Sequence, residues 1–100
     1  MQTVRPPAVA GAFYPAEPQL LGRTVQELLD RAPVAGLGGG RPKAIIVPHA
    51  GYQYSGSTAA AGYAAMRPYA ASISRVVLLG PAHRVAVNGL ALPDAEAFDT

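Results

Sequence analysis

Two short apolar runs, each leading into a proline turn that carries a histidine, constrain the fold of this chain most. The first run lies within Lys43–Val47, and Pro48 and His49 follow it directly. The second lies within Arg75–Leu79 and is followed by a Gly-Pro-Ala turn and His83. Continuous apolar runs of this length are typical of strands that are buried on both faces of a parallel sheet. We therefore predict two strands, each presenting a histidine just beyond its carboxyl end.

Two helices are predicted, one before the first apolar run and one between the two runs. Leucines and a valine recur at helical spacing in Pro18–Arg31, and Glu17 suits the positive end of that helix. A second helix is predicted from a serine cap at Ser55 to about Met66, with a body of small residues. Because it lies between the two strands, a right-handed strand–helix–strand unit is the expected topology. Residues 88–92 predict a short third strand or hairpin arm, so the fold class is α/β with a partial parallel sheet.

Composition excludes several classes of function. Half of the residues are hydrophobic, which excludes a disordered chain, and there is no cysteine to form disulfides or thiolate ligands. The net charge is only +2 and no basic run exists, so we expect no nucleic-acid partner. No stretch approaches the roughly 18 apolar residues of a membrane span. We therefore expect a cytoplasmic protein with no membrane association.

The two histidines have two interpretations. Ligands of open α/β sheets bind beyond the carboxyl ends of the strands, so the imidazoles of His49 and His83 could converge on one metal ion. Alternatively, each is an ordinary hydrogen-bonded loop residue. Two imidazoles are fewer than the three protein ligands usual for a catalytic metal. The candidates for a third ligand within the chain are carboxylates, namely Asp94, Glu96 and Asp99.

Aromatic residues accompany the same region. The adjacent pair Phe13 and Tyr14 either anchors an irregular, proline-containing N-terminal arm or forms the wall of a pocket. Tyr52 and Tyr54 flank the His49 turn, where a phenol could hydrogen-bond a ligand or simply pack. Acyl hydrolysis is disfavoured because no Gly-x-Ser-x-Gly motif is present.

Three ordered motifs resemble those of the Memo family, whose prokaryotic members are called AmmeMemoRadiSam system protein B. They are Pro7–Pro15, Ile45–Gly56 and Leu79–His83. The resemblance implies an α/β fold similar to the class III extradiol dioxygenases, with a pocket like that of non-haem-iron enzymes. It also implies that residues 1–100 are the N-terminal portion of a single Memo-like domain that is truncated here.

The resemblance implies roles for individual residues. His49 and His83 match metal ligands, whereas Phe13 and Tyr54 match aromatic positions at the pocket. Iron is the implied cofactor, copper is the alternative, and this fragment alone is expected to bind metal poorly or not at all. The family's further ligands, a histidine and a cysteine, belong to a later part of longer members. Arg84 stands where the family motif often has a second histidine.

The expected function is that of a Memo-like metal-binding protein with redox or dioxygenase-like chemistry, and the resemblance leaves the reaction itself open. It implies association with a radical-SAM protein and an Amme-type protein. The alternative, from a different class, is a non-catalytic module that binds a peptide or protein in the same pocket. An incomplete sheet would expose an edge and apolar helix faces, so a homo-oligomer is also expected.

Overall fold

A computed structural model describes residues 3–33 and 40–100 of the chain. Within these residues, two short segments from opposite ends of the chain form a parallel sheet, with Val4 opposite Ala97 and Arg5 opposite Phe98. The mixed α/β class is therefore confirmed in outline. The elements, in chain order, are β1 (Val4–Arg5), α1 (Pro18–Arg31), α2 (Tyr52–Met66), a 3₁₀ helix (Arg67–Ser72) and β2 (Ala97–Phe98).

Helix α1 has the bounds that its sequence predicts, and its N-terminus is fully capped. Pro18 occupies the first turn, where its missing N–H costs nothing. The Glu17 carboxylate accepts hydrogen bonds from the backbone N–H groups of Gln19 at 3.1 Å and Leu20 at 2.7 Å. The next donor, the N–H of Leu21, bonds the Glu17 carbonyl at 2.9 Å. The first turn of α1 therefore leaves no backbone donor without a partner.

Helix α2 ends at Met66 as predicted but begins at Tyr52 rather than at the expected cap, Ser55. Gly51 is the N-cap residue and supplies no side-chain bond. The Ser55 hydroxyl instead donates to the carbonyl of Ala50 at 2.9 Å, so this serine stabilises the turn that precedes the helix. The prediction of a serine cap was therefore wrong, because Ser55 already lies inside the first helical turn.

Helix α2 packs against α1, the 3₁₀ helix that follows it and the first apolar run. Its buried positions follow helical spacing and carry only small residues: Ser55, Gly56, Ala60 and Ala64. A β-carbon at Gly56 would lie 3.2 Å from Leu28 of α1, so the two helices approach closely at this point. A salt bridge of 2.8 Å between Arg67 and Asp30 joins their C-terminal ends. On another face, Gly62 contacts Val47.

The predicted strands at Lys43–Val47 and Arg75–Leu79, and the arm at 88–92, were wrong: the structure contains none of them. A strand exists only when a neighbour completes its hydrogen bonds, and here the two apolar runs form no ladder with one another. Burial nevertheless alternates in the first run, where Ile45 and Val47 are partly covered and Ile46 is 100% exposed. This run therefore has the side-chain alternation of a strand but is covered on only one face.

The observed sheet forms instead from segments expected to be irregular. Backbone bonds to Thr3 and Arg5 hold the chain from Glu96 to Asp99, with Glu96 N–H donating to the Thr3 carbonyl at 2.9 Å. The second apolar run remains uncovered, with Val77 85% and Leu78 79% exposed. No helix in the described part of the chain combines the length and apolar character that crossing a bilayer requires.

Candidate metal centre

The side chains of His49 and His83 meet, although 34 residues separate them in sequence. Their Nε2 atoms lie 3.0 Å apart, the ring centroids are 5.1 Å apart and the ring planes are inclined by 43°. Both residues are exposed to solvent. The sequence-based expectation that the two imidazoles converge therefore agrees with the geometry, whereas their binding of a metal stays a prediction.

His49 is held between two residues that are themselves fixed on α2. Val47, two positions earlier, packs on Gly62. Ala50, the next residue, accepts the hydrogen bond from the part-buried hydroxyl of Ser55. The chain then enters α2 through Tyr52, whose N–H donates to the Phe13 carbonyl at 2.8 Å. The backbone on both sides of His49 is thus held by contacts with α2 and with Phe13.

His83 is held very differently. The backbone from residue 74 to residue 95 forms no backbone–backbone hydrogen bond with any other described residue. The contact with His49 is the side-chain bond that ties this stretch to the rest of the described structure. The pair therefore joins a histidine beside a hydrogen-bonded turn to one in a stretch that has no backbone hydrogen bond to the other described residues.

The distance between the rings fits two arrangements. As neutral imidazoles without a metal, one ring donates its Nε2–H and the other accepts it, which is an ordinary hydrogen bond at 3.0 Å. As metal ligands, both rings carry the proton on Nδ1 and present the Nε2 lone pair. With metal–nitrogen bonds of roughly 2.0–2.1 Å, two ligands lie about 2.9 Å apart at a right angle and about 3.3 Å apart at the tetrahedral angle. The donor set fits a metal ion, and the spacing is closer to the right-angled case.

A third protein ligand is absent from the described residues. No group of three or more His, Cys, Asp or Glu side chains able to hold an ion occurs in residues 3–33 and 40–100. The carboxylate candidates lie elsewhere: Glu96 and Asp99 are bonded through their backbones to the β1 segment, and Asp94 lines a cavity beside it. The structure does not bring these carboxylates to the histidine pair, so the predicted three-ligand face does not form within this part of the chain.

The aromatic candidates lie at the same end of α2 as His49. Phe13 contributes its carbonyl to the Tyr52 N–H and keeps 46% of its surface exposed. The neighbouring Tyr14 packs its ring on Tyr52, with centroids 5.9 Å apart. Tyr54 is 78% exposed, and its ring lies beside Gly51. The Phe13-Tyr14 pair thus anchors the N-terminal arm, and the assignment of Phe13 and Tyr54 to a pocket stays a prediction.

Two cavities in the described structure lie away from the histidines. One of about 220 Å³ is lined by Arg5, Tyr14 and Phe98, among others, and one of about 420 Å³ by Val4, Pro93 and Asp94, among others. The Arg5 guanidinium lies 5.5 Å from the centre of the Phe98 ring, so the first is bordered by a cation–π contact. Neither cavity includes His49 or His83, whose rings face open solvent.

Sequence reasoning missed the residues that position the site. Ser55 holds the preceding turn rather than capping the helix, whereas the small-residue body of α2, with Gly62, is predicted to pack closely and does so against Val47. Gly51 lies against the Phe13 backbone, where a β-carbon would make an ordinary contact 3.5 Å from Phe13 Cα. The available signal was glycine and serine within an alanine-rich helix, which is typical of close packing against a neighbour.

Comparison with known proteins gives a consistent family assignment. The model of the family described as "Memo-like protein" matches residues 5–100. Among curated proteins, the chain is 41% identical to the Protein memo-1 homolog of Caenorhabditis elegans over 91% of this chain and 25% of that protein. It is 39% identical to a MEMO1 family protein of Aquifex aeolicus over 97% of this chain and 34% of that protein. Protein MEMO1 of Danio rerio is also 39% identical, over 91% of this chain and 29% of its own length.

No solved structure is a significant match to the chain. The chain spans about a quarter to a third of the length of these curated relatives. The part that the family model matches, from Arg5 to Thr100, includes both histidines and the aromatic pair Phe13 and Tyr14. By this match and by the identity of about 40% to several curated members, the chain belongs to the Memo family.

Proposed function

We propose that His49 and His83 are two ligands of a metal ion in a Memo-like protein with redox or dioxygenase-like chemistry. One observation carries this proposal: two exposed imidazoles from distant parts of the chain face each other with their Nε2 atoms 3.0 Å apart. Two neutral imidazoles gain little from an exposed hydrogen bond, whereas a shared ion would use both lone pairs. Iron is the proposed metal and copper the alternative.

The chain holds the two ligands differently. Contacts with α2 hold the backbone around His49, whereas His83 lies in a stretch without such contacts. Packing of Val47 on Gly62 and the Ser55 bond to Ala50 hold the backbone on both sides of His49 near the start of α2. His83 completes the pair from the stretch that has no backbone hydrogen bond to the other described residues. When bound, iron or copper supplies one-electron chemistry and open coordination positions for a substrate. Phe13 and Tyr54 are the proposed side chains for contact with that substrate.

The wider role rests on the family. The chain is similar to proteins named Protein MEMO1 and MEMO1 family protein, and spans a minor part of their length. From membership of the Memo family we therefore propose the activity of a whole Memo domain, an association with radical-SAM and Amme-type proteins, and a cytoplasmic location.

Metal content tests the ligand assignment. A complete Memo domain that contains this chain is loaded with Fe²⁺ under anaerobic conditions, freed of excess ion and analysed by mass spectrometry for metal, alongside its His49→Ala and His83→Ala variants. Gln53→Ala is the matched control, because Gln53 is exposed in the first turn of α2 and is not a proposed ligand. We expect both histidine variants to lose the metal and the control to retain it. Retention at wild-type stoichiometry in either histidine variant would show that the assignment is wrong.

Limited trypsin digestion gives a second readout that does not depend on activity. Arg84 is exposed, follows His83 directly and lies in the stretch without backbone hydrogen bonds. A metal that joins His83 to His49 should slow cleavage after Arg84, whereas cleavage after Arg23 in α1 should not change. Equal cleavage after Arg84 with and without metal would contradict a bridge between the two histidines.

A second candidate function is a non-catalytic module that binds a peptide or protein. The exposed rings of Phe13 and Tyr54 at one end of α2 favour it, since solvent-accessible aromatic residues are common anchors of interfaces. The histidine variants separate the two functions. Loss of both imidazoles should abolish metal-dependent activity under the first proposal and leave partner binding intact under the second.

A further inference from the structure

Arg84 is the charged residue next to the histidine pair. It follows His83 directly, so its Cα lies about 3.8 Å from that of the histidine. The chain bends over residues 83–85, so the side chains of His83 and Arg84 are not forced to opposite faces as they would be in a strand. The guanidinium, at the end of a long and flexible side chain, can therefore reach the solvent in front of the two imidazoles.

No carboxylate neutralises this charge in the part of the chain that the structure describes. The salt bridge found there joins Arg67 to Asp30, and no Asp or Glu side chain joins the histidine pair as a possible third ligand. The three carboxylates that follow Arg84 in sequence belong to the region beside β1: Asp94, Glu96 and Asp99. The exposed guanidinium is therefore available to an anion that approaches the rings from solvent.

The chemistry of the arginine side chain selects the kind of anion. A guanidinium is permanently charged and presents parallel N–H donors in a planar fork, which matches two oxygens of a carboxylate or a phosphate. A metal ion on the histidine pair would add positive charge on the same side, so an anionic group would be attracted by both. A neutral substrate would gain nothing from Arg84.

We infer that Arg84 binds the oxyanion group, a carboxylate or a phosphate, of the substrate that reaches the site of His49 and His83. The inference rests on the proposed metal-ligand role of these histidines and adds the chemical class of the substrate. Arg84 contacts the substrate through its N–H groups and does not bind the metal, so it determines specificity rather than metal content.

The test uses a complete Memo domain that contains this chain, labelled with ¹⁵N and loaded with Zn²⁺, a diamagnetic ion that also accepts imidazole nitrogen. Acetate or inorganic phosphate is added, and nuclear magnetic resonance follows the Arg84 Nε–H signal, which is assigned by its loss in Arg84→Gln. We expect this signal to shift to saturation. The backbone N–H signals of His83 and Val85 give the Kd of each anion in wild type and in every variant.

Three variants separate a specific contact from a general effect of charge. Arg84→Gln should raise the Kd about tenfold, because a hydrogen bond between two ionised groups is lost. Arg84→Lys keeps the charge without the planar fork, so its Kd should be intermediate. Arg75→Gln is the matched control, since it removes an equal charge from the start of the same exposed stretch, and it should bind as wild type does.

Each outcome decides the inference. Tighter binding of acetate supports a carboxylate substrate, and tighter binding of phosphate supports a phosphate ester. An Arg84 signal that does not shift, or equal Kd values in Arg84→Gln and Arg75→Gln, would overturn the inference. Metal analysis of the same samples separates this failure from that of the proposed function: Zn²⁺ that is retained after loss of both histidines would overturn the metal-ligand assignment and, with it, the placing of the anion at that site.

Discussion

The backbone of Gly62 in α2 lies so close to Val47 that a β-carbon at position 62 would overlap the valine side chain. The same β-carbon would lie 3.9 Å from Ile45. Because His49 follows Val47 by two residues, this contact sets the position of the histidine relative to α2. The glycine is therefore a packing requirement of the site.

Gly62→Ala is expected to destabilise the chain. In a helix interior, replacing glycine by alanine normally gains about 0.5–1 kcal/mol. Here the added methyl group must displace Val47, and overpacking of this kind costs roughly 1–3 kcal/mol. We expect the second effect to dominate and the free energy of unfolding, measured by urea denaturation, to fall.

Gly22→Ala is the matched control, because a β-carbon at Gly22 in α1 would have no neighbour within 4 Å. That variant should gain about 0.5–1 kcal/mol from helix propensity alone. Adding Val47→Ala to Gly62→Ala should restore part of the lost stability by removing the overlap. If Gly62→Ala stabilises the chain as much as Gly22→Ala does, the close packing of α2 on Val47 is wrong.

Ser55→Ala is expected to weaken both the fold and the metal site. The hydroxyl is part-buried and donates to the Ala50 carbonyl at 2.9 Å, so its loss should cost about 0.5–1.5 kcal/mol. Because Ala50 is adjacent to His49, Cu²⁺ affinity should fall along with the free energy of unfolding. Ser57→Ala is the control, since Ser57 is exposed on the same helix. Equal copper affinity in the two variants would show that Ser55 does not position His49.

Helix α1 could be predicted, with its end at about Arg31, because its determinants are local. Pro18 at the first turn, Glu17 before it and apolar residues at helical spacing all lie within or beside the helix. The end of α2 at Met66 was similarly predictable from Pro68 two residues later. The start of α2 was not, because the bond from Tyr52 to Phe13 joins residues far apart in sequence.

A strand forms only beside a second segment that completes its hydrogen bonds, and a local sequence pattern does not identify that segment. Ile45 and Val47 face α2 and are partly covered, whereas the apolar run predicted burial on both faces. It could not show that Ile46 would remain fully exposed with no second layer over it. The pair of Val4 with Ala97 spans most of the chain, and neither segment has a strand-like pattern. The meeting of His49 and His83 was predictable only from their repeated context after an apolar run.

Glu17→Ala is expected to lower stability by about 1 kcal/mol through loss of the cap of α1. The two carboxylate oxygens accept separate bonds from Gln19 and Leu20, so both backbone donors lose a partner together. Glu17→Gln keeps one amide oxygen as an acceptor and removes the charge that favours a helix N-terminus, so its effect should be intermediate. Helix content by circular dichroism and urea denaturation measure both effects. A fully stable Glu17→Ala variant would contradict the capping role.

The link between α1 and the end of α2 is expected to depend on pH. Arg67 donates to Asp30 Oδ1 at 2.8 Å and Gln26 donates to the same oxygen at 3.0 Å. These hydrogen bonds, chiefly that from Arg67, hold the pKa of Asp30 below its usual value. A carboxyl group whose pKa is lowered by folding stabilises the folded state above its unfolded pKa of about 4, and this contribution disappears as pH falls through the folded pKa.

Nuclear magnetic resonance titration of the Asp30 carboxyl group tests this link directly. Arg67→Gln should raise the pKa of Asp30 towards its ordinary value, and Gln26→Ala should raise it less, because the Arg67 bond is the larger cause. The stability difference between wild type and Asp30→Asn should be small, because the pair is exposed, and should shrink further below about pH 4 and at high salt. An Asp30 pKa that does not change in Arg67→Gln would show that this ion pair does not form in solution.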